Sequence, residues 1–154
     1  MIDLGDGMEI EEISFDQIVE YWKEVDHFND PNKNYRQLVS QLGPFRASID
    51  TPISKCYGLY DRHPEVEFDG IIGVTQIYEW DPGVVRFRTI NIRKPWRHQD
   101  LGWCFLESVF EEDWSNYIKM FGWMKLDKLQ WALDHGFQTI GTQQNNHIGV
   151  IKEM

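Results

Sequence analysis

Ile90-Asn91-Ile92-Arg93-Lys94-Pro95-Trp96-Arg97-His98-Gln99-Asp100-Leu101-Gly102-Trp103-Cys104-Phe105-Leu106 is the stretch whose reading decides the fold. It reads as the end of a strand, a turn, and then Gly102 at the mouth of an amphipathic helix. In that helix Trp103, Leu106, Phe110, Trp114 and Tyr117 recur at steps of three and four. Such a junction aims unpaired backbone N–H groups, at the positive end of the helix dipole, toward any anion lying there. Four of the seven arginines, Arg86, Arg88, Arg93 and Arg97, fall in or just before the stretch. In a chain of formal net charge -10, this local basic strip suits a phosphate-bearing ligand.

Upstream of the junction, residues 8–13 alternate apolar and acidic side chains, as a half-buried strand does. Ser14 and Gln17 form a capping box that opens a helix carrying Ile18, Tyr21, Trp22 and Val25. Asn29-Asp30-Pro31-Asn32 breaks the pattern; a shorter helix is predicted over 35–42 and a loop over 45–52. Strands are predicted over 56–60, 71–80 and 84–93. The short Asp81-Pro82-Gly83 link makes the last two an antiparallel hairpin.

Downstream, a second helix is expected over 121–135, with Trp123, Leu126, Leu129 and Leu133 inward and Gly136-Phe137 as its stop. A short strand over 138–142 follows, and Asn145 or Asn146 caps a final helix running to the end. The order βααβββααβα describes one α+β or α/β domain over 1–154, with helices packed on a mixed sheet.

Composition narrows the function classes. The net charge of -10 argues against nucleic-acid binding, where a basic footprint supplies most of the affinity. No apolar run is long enough to span a membrane, and Met1-Ile2-Asp3-Leu4-Gly5-Asp6 lacks a secretory pattern, so a cytoplasmic protein is expected. The two cysteines, Cys56 and Cys104, form no CxxC pair and read as buried free thiols. The five histidines show no metal-ligand spacing.

The central stretch resembles the coenzyme-A signature of the GNAT N-acetyltransferase superfamily, Arg/Gln-x-x-Gly-x-Gly/Ala. Arg97 matches its first position and Gly102 its last, Leu101 is the intervening apolar residue, and Phe105-Leu106 match the apolar pair inside the helix. Ile92 sits five residues before Arg97, where the family keeps a strand residue whose backbone pairs with the pantetheine arm. Gly70-Ile71-Ile72-Gly73-Val74, His135-Gly136-Phe137-Gln138-Thr139-Ile140 and Asn145-Asn146-His147-Ile148 extend the likeness over nearly the whole chain. Asp100 stands in place of the motif's first Gly.

This resemblance implies a GNAT-like, mixed and largely antiparallel sheet with helices on both faces and the C-terminal strands missing. It implies acetyl-CoA, or another acyl-CoA, as cofactor, held by Asn91, Ile92, Arg93, Arg97, His98, Gln99, Asp100, Leu101, Gly102, Trp103 and Asn145. The activity implied is direct acyl transfer to a small amine or a peptide amine. The helix Tyr that often serves as general acid in the family has no counterpart here, and Lys152 falls near its place. Glu79, at a strand end beside the expected splay in the sheet, is then the candidate catalytic base. Trp80 and Trp96 flank turns beside the same cleft, where pocket lining and plain packing weigh equally. The rival reading is a degenerate domain of this type that binds a ligand or partner without turnover. A third is a shortened domain whose open sheet edge pairs with a second copy as a homodimer.

Overall fold

A computed structural model describes residues 1–26, 54–97 and 100–154. β1 (Ile2–Gly5) and β2 (Met8–Ile13) precede α1 (Phe15–Asp26). β3 (Ser54–Asp61), β4 (Ile71–Asp81) and β5 (Val84–Ile92) come next, then α2 (Leu101–Asp113), β6 (Lys119–Lys125), α3 (Leu129–Asp134), β7 (Gln138–Gln144) and β8 (His147–Glu153). Among the described residues the strands form one eight-stranded sheet in the order β1-β2-β3-β4-β5-β6-β8-β7. Neighbours are antiparallel except β5 and β6, which the α2 crossover makes parallel. The helix expected over 35–42 and the loop over 45–52 lie outside the described residues.

The main core lies under α2. Its Phe105, Leu106, Val109 and Phe110 pack on Tyr57, Leu59, Ile77, Val85, Phe87, Met120 and Val150 from the sheet. Each such side chain contributes about 1.5–3 kcal/mol when fully buried. α1 covers the opposite face, where Ile18 and Tyr21 meet Ile13, Cys56 and Val74. Its capping box forms reciprocally: the Ser14 N–H donates to Gln17 Oε1 at 2.8 Å and the Gln17 N–H to Ser14 Oγ at 3.2 Å. The helices thus lie on both faces of a mixed, mostly antiparallel sheet.

Several expectations are corrected. Residues 119–125 are a strand: Met120, Gly122 and Met124 point inward on a period of two, while Trp123, expected inward, is 40% exposed. The helix after it is only Leu129–Asp134, and Leu133 is 42% exposed. Residues 147–153 are also a strand, so no final helix forms and the C-terminal strands are present as the β7–β8 hairpin. Asn145 and Asn146 both take positive φ, 47° and 63°, which is the two-residue turn that matches hairpin twist. Lys152 accordingly lies on β8 rather than on a helix. Cys56 is buried as expected, but Cys104 is exposed.

Candidate functional site at the parting of two strands

β5 and β6 pair only through Val84–Lys119, Val85–Met120 and Arg86–Phe121. Beyond that point each strand follows its other neighbour: β5 stays with β4 as far as Ile92–Gly73, and β6 stays with β8 as far as Lys125–His147. A wedge therefore opens between them. The β4–β5 register shifts between Val74–Asn91 and Gln76–Arg88, a bulge that sharpens the local twist. At the start of the wedge the Phe87 ring lies over Gly122. A Cβ added at Gly122 would fall 2.3 Å from Phe87 Cζ.

α2 starts beside the open end of this wedge. Its first intrahelical bond runs from the Cys104 N–H to the Asp100 carbonyl at 3.0 Å, so the N–H groups of Leu101, Gly102 and Trp103 precede it and point outward. Gly102 has open space where a side chain would be; an added Cβ meets only Ile92 Cγ1, at 4.0 Å. The Arg97 Nε–H donates to the Ile92 carbonyl, which fixes the side chain beside this helix start. Lys152 reaches over from β8, its ammonium 5.6 Å from the Trp103 ring centre. The donors, the positive end of the dipole and the uncovered glycine fit a phosphate-bearing ligand.

Asp100 is the residue before α2, at φ 55° and ψ 28°, and its side chain makes no cap bond. Its carboxylate turns instead toward His135, 3.5 Å from Nε2. The His135 Nδ1–H donates to the Trp131 carbonyl at 2.7 Å, and its ring stacks on Trp103 at 5.2 Å. His135 thus ends α3 as a carbonyl-capping residue and links it to the α2 start.

The remaining expected residues are dispersed. The arginine strip does not converge on α2: the Arg93 Nε–H donates to the Ile71 carbonyl at 2.7 Å, and its guanidinium pairs with Glu24 and lies over Tyr21 and Phe68. Asn91 faces α1 as well, accepting from the Tyr21 hydroxyl at 2.6 Å, and burial pushes that phenol well above its ordinary pKa. His98 and Gln99 lie outside the described residues. Asn145 sits in the β7–β8 turn. Trp96 donates to Asp61 at 2.8 Å and packs against the main core, while Trp80 stacks on Phe121.

Glu79 pairs across to Val85, on the closed side of the wedge. Its carboxylate accepts from the Tyr117 hydroxyl at 2.6 Å, and burial together with Glu79 pushes that phenol up to about 12. Sequence reasoning placed His135 at a helix C-terminus, where it caps α3, but missed its link to Asp100, the Tyr117–Glu79 pair and the Phe87–Gly122 contact. Only the last left a local trace, a glycine inside an alternating run.

A separate groove of about 530 Å³ runs along α1, lined in part by Asp16, Glu20, Asp69 and Phe68. Among the described residues no helix is long and apolar enough to cross a membrane.

No family model and no curated protein matches the sequence. Solved structures do match over nearly the full length of both chains. An acetyltransferase from Thermus thermophilus is 12% identical with a TM-score of 0.68, over 96% of this chain and 97% of that one. A GNAT family acetyltransferase from Elizabethkingia anophelis, with acetyl-CoA bound, is 16% identical with a TM-score of 0.64, over 97% and 99%. The PaiA N-acetyltransferase from Thermoplasma acidophilum, in complex with coenzyme A, is 12% identical with a TM-score of 0.63, over 96% and 99%. With the sheet order, the wedge and the helix start already in place, this likeness identifies the chain's fold as that of the GNAT acetyltransferases.

Proposed function

We propose that the chain is an acyl-CoA-dependent N-acyltransferase, carrying an acyl group, in the first instance acetyl, to a primary amine. One coincidence carries the reading: β5 parts from β6 beyond Arg86, and at the open end α2 begins with outward N–H groups over an uncovered Gly102. The acetyl-CoA and coenzyme A held by two of the similar proteins support it. Acetyl-CoA, when bound, supplies a thioester as the activated acyl donor. The N–H groups of Leu101, Gly102 and Trp103, with Arg97, hold the phosphates. Beyond Arg86 the β6-facing edge of β5 carries backbone groups without a β6 partner, and those near Ile92 orient the thioester carbonyl. Holding donor and amine in one wedge makes the attack effectively intramolecular.

The first test is thermal unfolding with acetyl-CoA. A ligand bound only by the folded state adds about 2.7 kcal/mol at roughly 100 times its dissociation constant, a rise on the order of 5 °C or more in a domain of this size. Arg97→Ala shrinks that rise. Asp100→Gly enlarges it if the carboxylate swings from His135 toward the phosphates when they bind, because the substitution then removes a like charge from the helix start. An unchanged midpoint at millimolar acetyl-CoA removes the reading.

Glu79 is the proposed base, taking the ammonium proton through Tyr117 or water. Glu79→Gln then keeps acetyl-CoA affinity and lowers turnover by about a hundredfold. Wild-type turnover in the variant would return Glu79 to a purely structural role. The second reading, binding without turnover, draws support from two facts: α3 (Leu-Gln-Trp-Ala-Leu-Asp) supplies no phenol, and the Glu79 carboxylate is already engaged. Acetyl-CoA binding with no turnover of polyamines, amino acids or peptide N-termini would favour that reading.

A further inference from the structure

β5 alternates between two environments. Val85 and Phe87 enter the core under α2, while Arg86 and Arg88 go to the other face of the sheet. Arg86 is the last β5 residue paired with β6, so it stands at the vertex of the wedge. Its guanidinium carbon is 4.9 Å from the Trp80 ring centre, 5.7 Å from Phe121 and 5.9 Å from Tyr78. Trp80 and Phe121, reaching in from the strands on either side of β5, stack on one another at 5.7 Å. The Arg86 Nε is buried and makes no hydrogen bond, and among the described residues no carboxylate forms an ion pair with Arg86.

This is a costly arrangement in a central strand. Burial lowers the Arg86 pKa, and burial together with the Arg86 charge pushes Arg88 down to about 10. Aromatic faces and a hydrogen bond with the Tyr78 hydroxyl offset part of the desolvation of this guanidinium, but its Nε–H has no acceptor and it has no anionic partner among the described residues. A carboxylate supplies both, because its two oxygens match the planar fork of donors. The chain's net charge of -10 opposes anion capture at long range, so recognition of an anion has to be local.

We infer that the amine acceptor also carries a carboxylate, and that Arg86 binds it at the vertex of the wedge, as in an amino acid. The inference rests on the transfer reading above. Six residues of β5, about 20 Å of strand, separate Arg86 from Ile92 beside the α2 start. Donor phosphates at one end and an acceptor carboxylate at the other leave the amine between them, inside the wedge.

The test compares acceptors that differ only in the carboxylate: glycine against glycinamide, and glutamate against its diamide. The carboxylate member should show a kcat/KM about tenfold higher or more, the usual yield of a charge-assisted pair. Arg86→Gln and Arg86→Lys should each raise its KM about tenfold while leaving the KM for acetyl-CoA unchanged; the lysine variant keeps the charge but loses the fork. A cofactor-free measurement stands beside this. N-acetylglycine and N-acetylglutamate should raise the melting midpoint of the wild type and not that of Arg86→Lys. Amides, or a polyamine such as spermidine, acetylated as well as the carboxylates would overturn the inference and leave the transfer reading standing. Arg86-dependent binding of the N-acetyl acids with no acyl transfer would sink the transfer reading and keep the Arg86 site. Wild-type protein that responds to none of the acids overturns the inference outright.

Discussion

Gly122→Val should lower the melting midpoint by about 6–12 °C, following an overpacking cost on the order of 3 kcal/mol. The new Cβ would stand 2.3 Å from Phe87 Cζ and 2.5 Å from Cε1, distances no real contact adopts. The ring has little room to withdraw, since it sits edge-on to Phe137 at 5.9 Å within the main core. Phe87→Ala in the same chain should recover part of the loss, making the pair non-additive by about 1 kcal/mol or more. Thermal melts of the two single variants and the double variant measure this. Additive losses would mean that the ring and the glycine do not constrain one another. Because the contact lies where β5 and β6 begin to part, the double variant should also bind acetyl-CoA differently from the wild type.

Trp114→Ala should cost about 3–5 kcal/mol, which in a domain of this size lowers the midpoint by on the order of 10 °C. Trp114 is 1% exposed and follows the last turn of α2. Its Nε1–H donates to the Tyr57 hydroxyl at 3.0 Å, and that hydroxyl donates onward to Asp113 Oδ2 at 2.7 Å. Burial and the Asp113 hydrogen bond together push the Tyr57 phenol far above its ordinary pKa, so it stays a neutral donor. Trp114→Phe keeps one six-membered ring of the packing and removes the N–H with part of the ring volume, and should cost less than the alanine variant, about 1–3 kcal/mol. Chemical denaturation of both variants compares them. Equal losses would mean that the N–H and the ring that carries it, not the retained ring, anchor the end of α2.

The junction from β5 into α2 was legible because its signals are local: an apolar strand end, a proline turn, and a glycine before a run of period three to four. The capping box at Ser14 and Gln17 and the Pro82–Gly83 hairpin were legible for the same reason. β6 was not, because two periods compete over the same residues. Trp123, Leu126, Leu129 and Leu133 fit a helix on paper, whereas Met120, Gly122 and Met124 fit the strand that forms. β8 was lost to an ambiguity of asparagine, which serves both as a helix N-cap and in a left-handed hairpin turn. The α2 start was readable as a phosphate cradle, but the directions of the arginines were not. Arg93 turns toward Glu24, far away in sequence, and Arg86 toward Tyr78 and Trp80 across the hairpin and Phe121 on β6, choices made by tertiary neighbours and not by local pattern.

The unequal lateral anchoring of β6 bears on how the protein is made. β6 shares only three residue pairs with β5 but seven with β8. The strand that holds β6 in place is therefore translated, and emerges, after β6, α3 and β7. Until residues 147–153 emerge, one wall of the wedge lacks its main partner, and Trp123 and Met124 have no finished sheet to sit on. Translation keeps that interval open for on the order of seconds. A nascent chain of this protein is exposed to mispairing at its C-terminal half, and holding factors that bind apolar strands would protect it there.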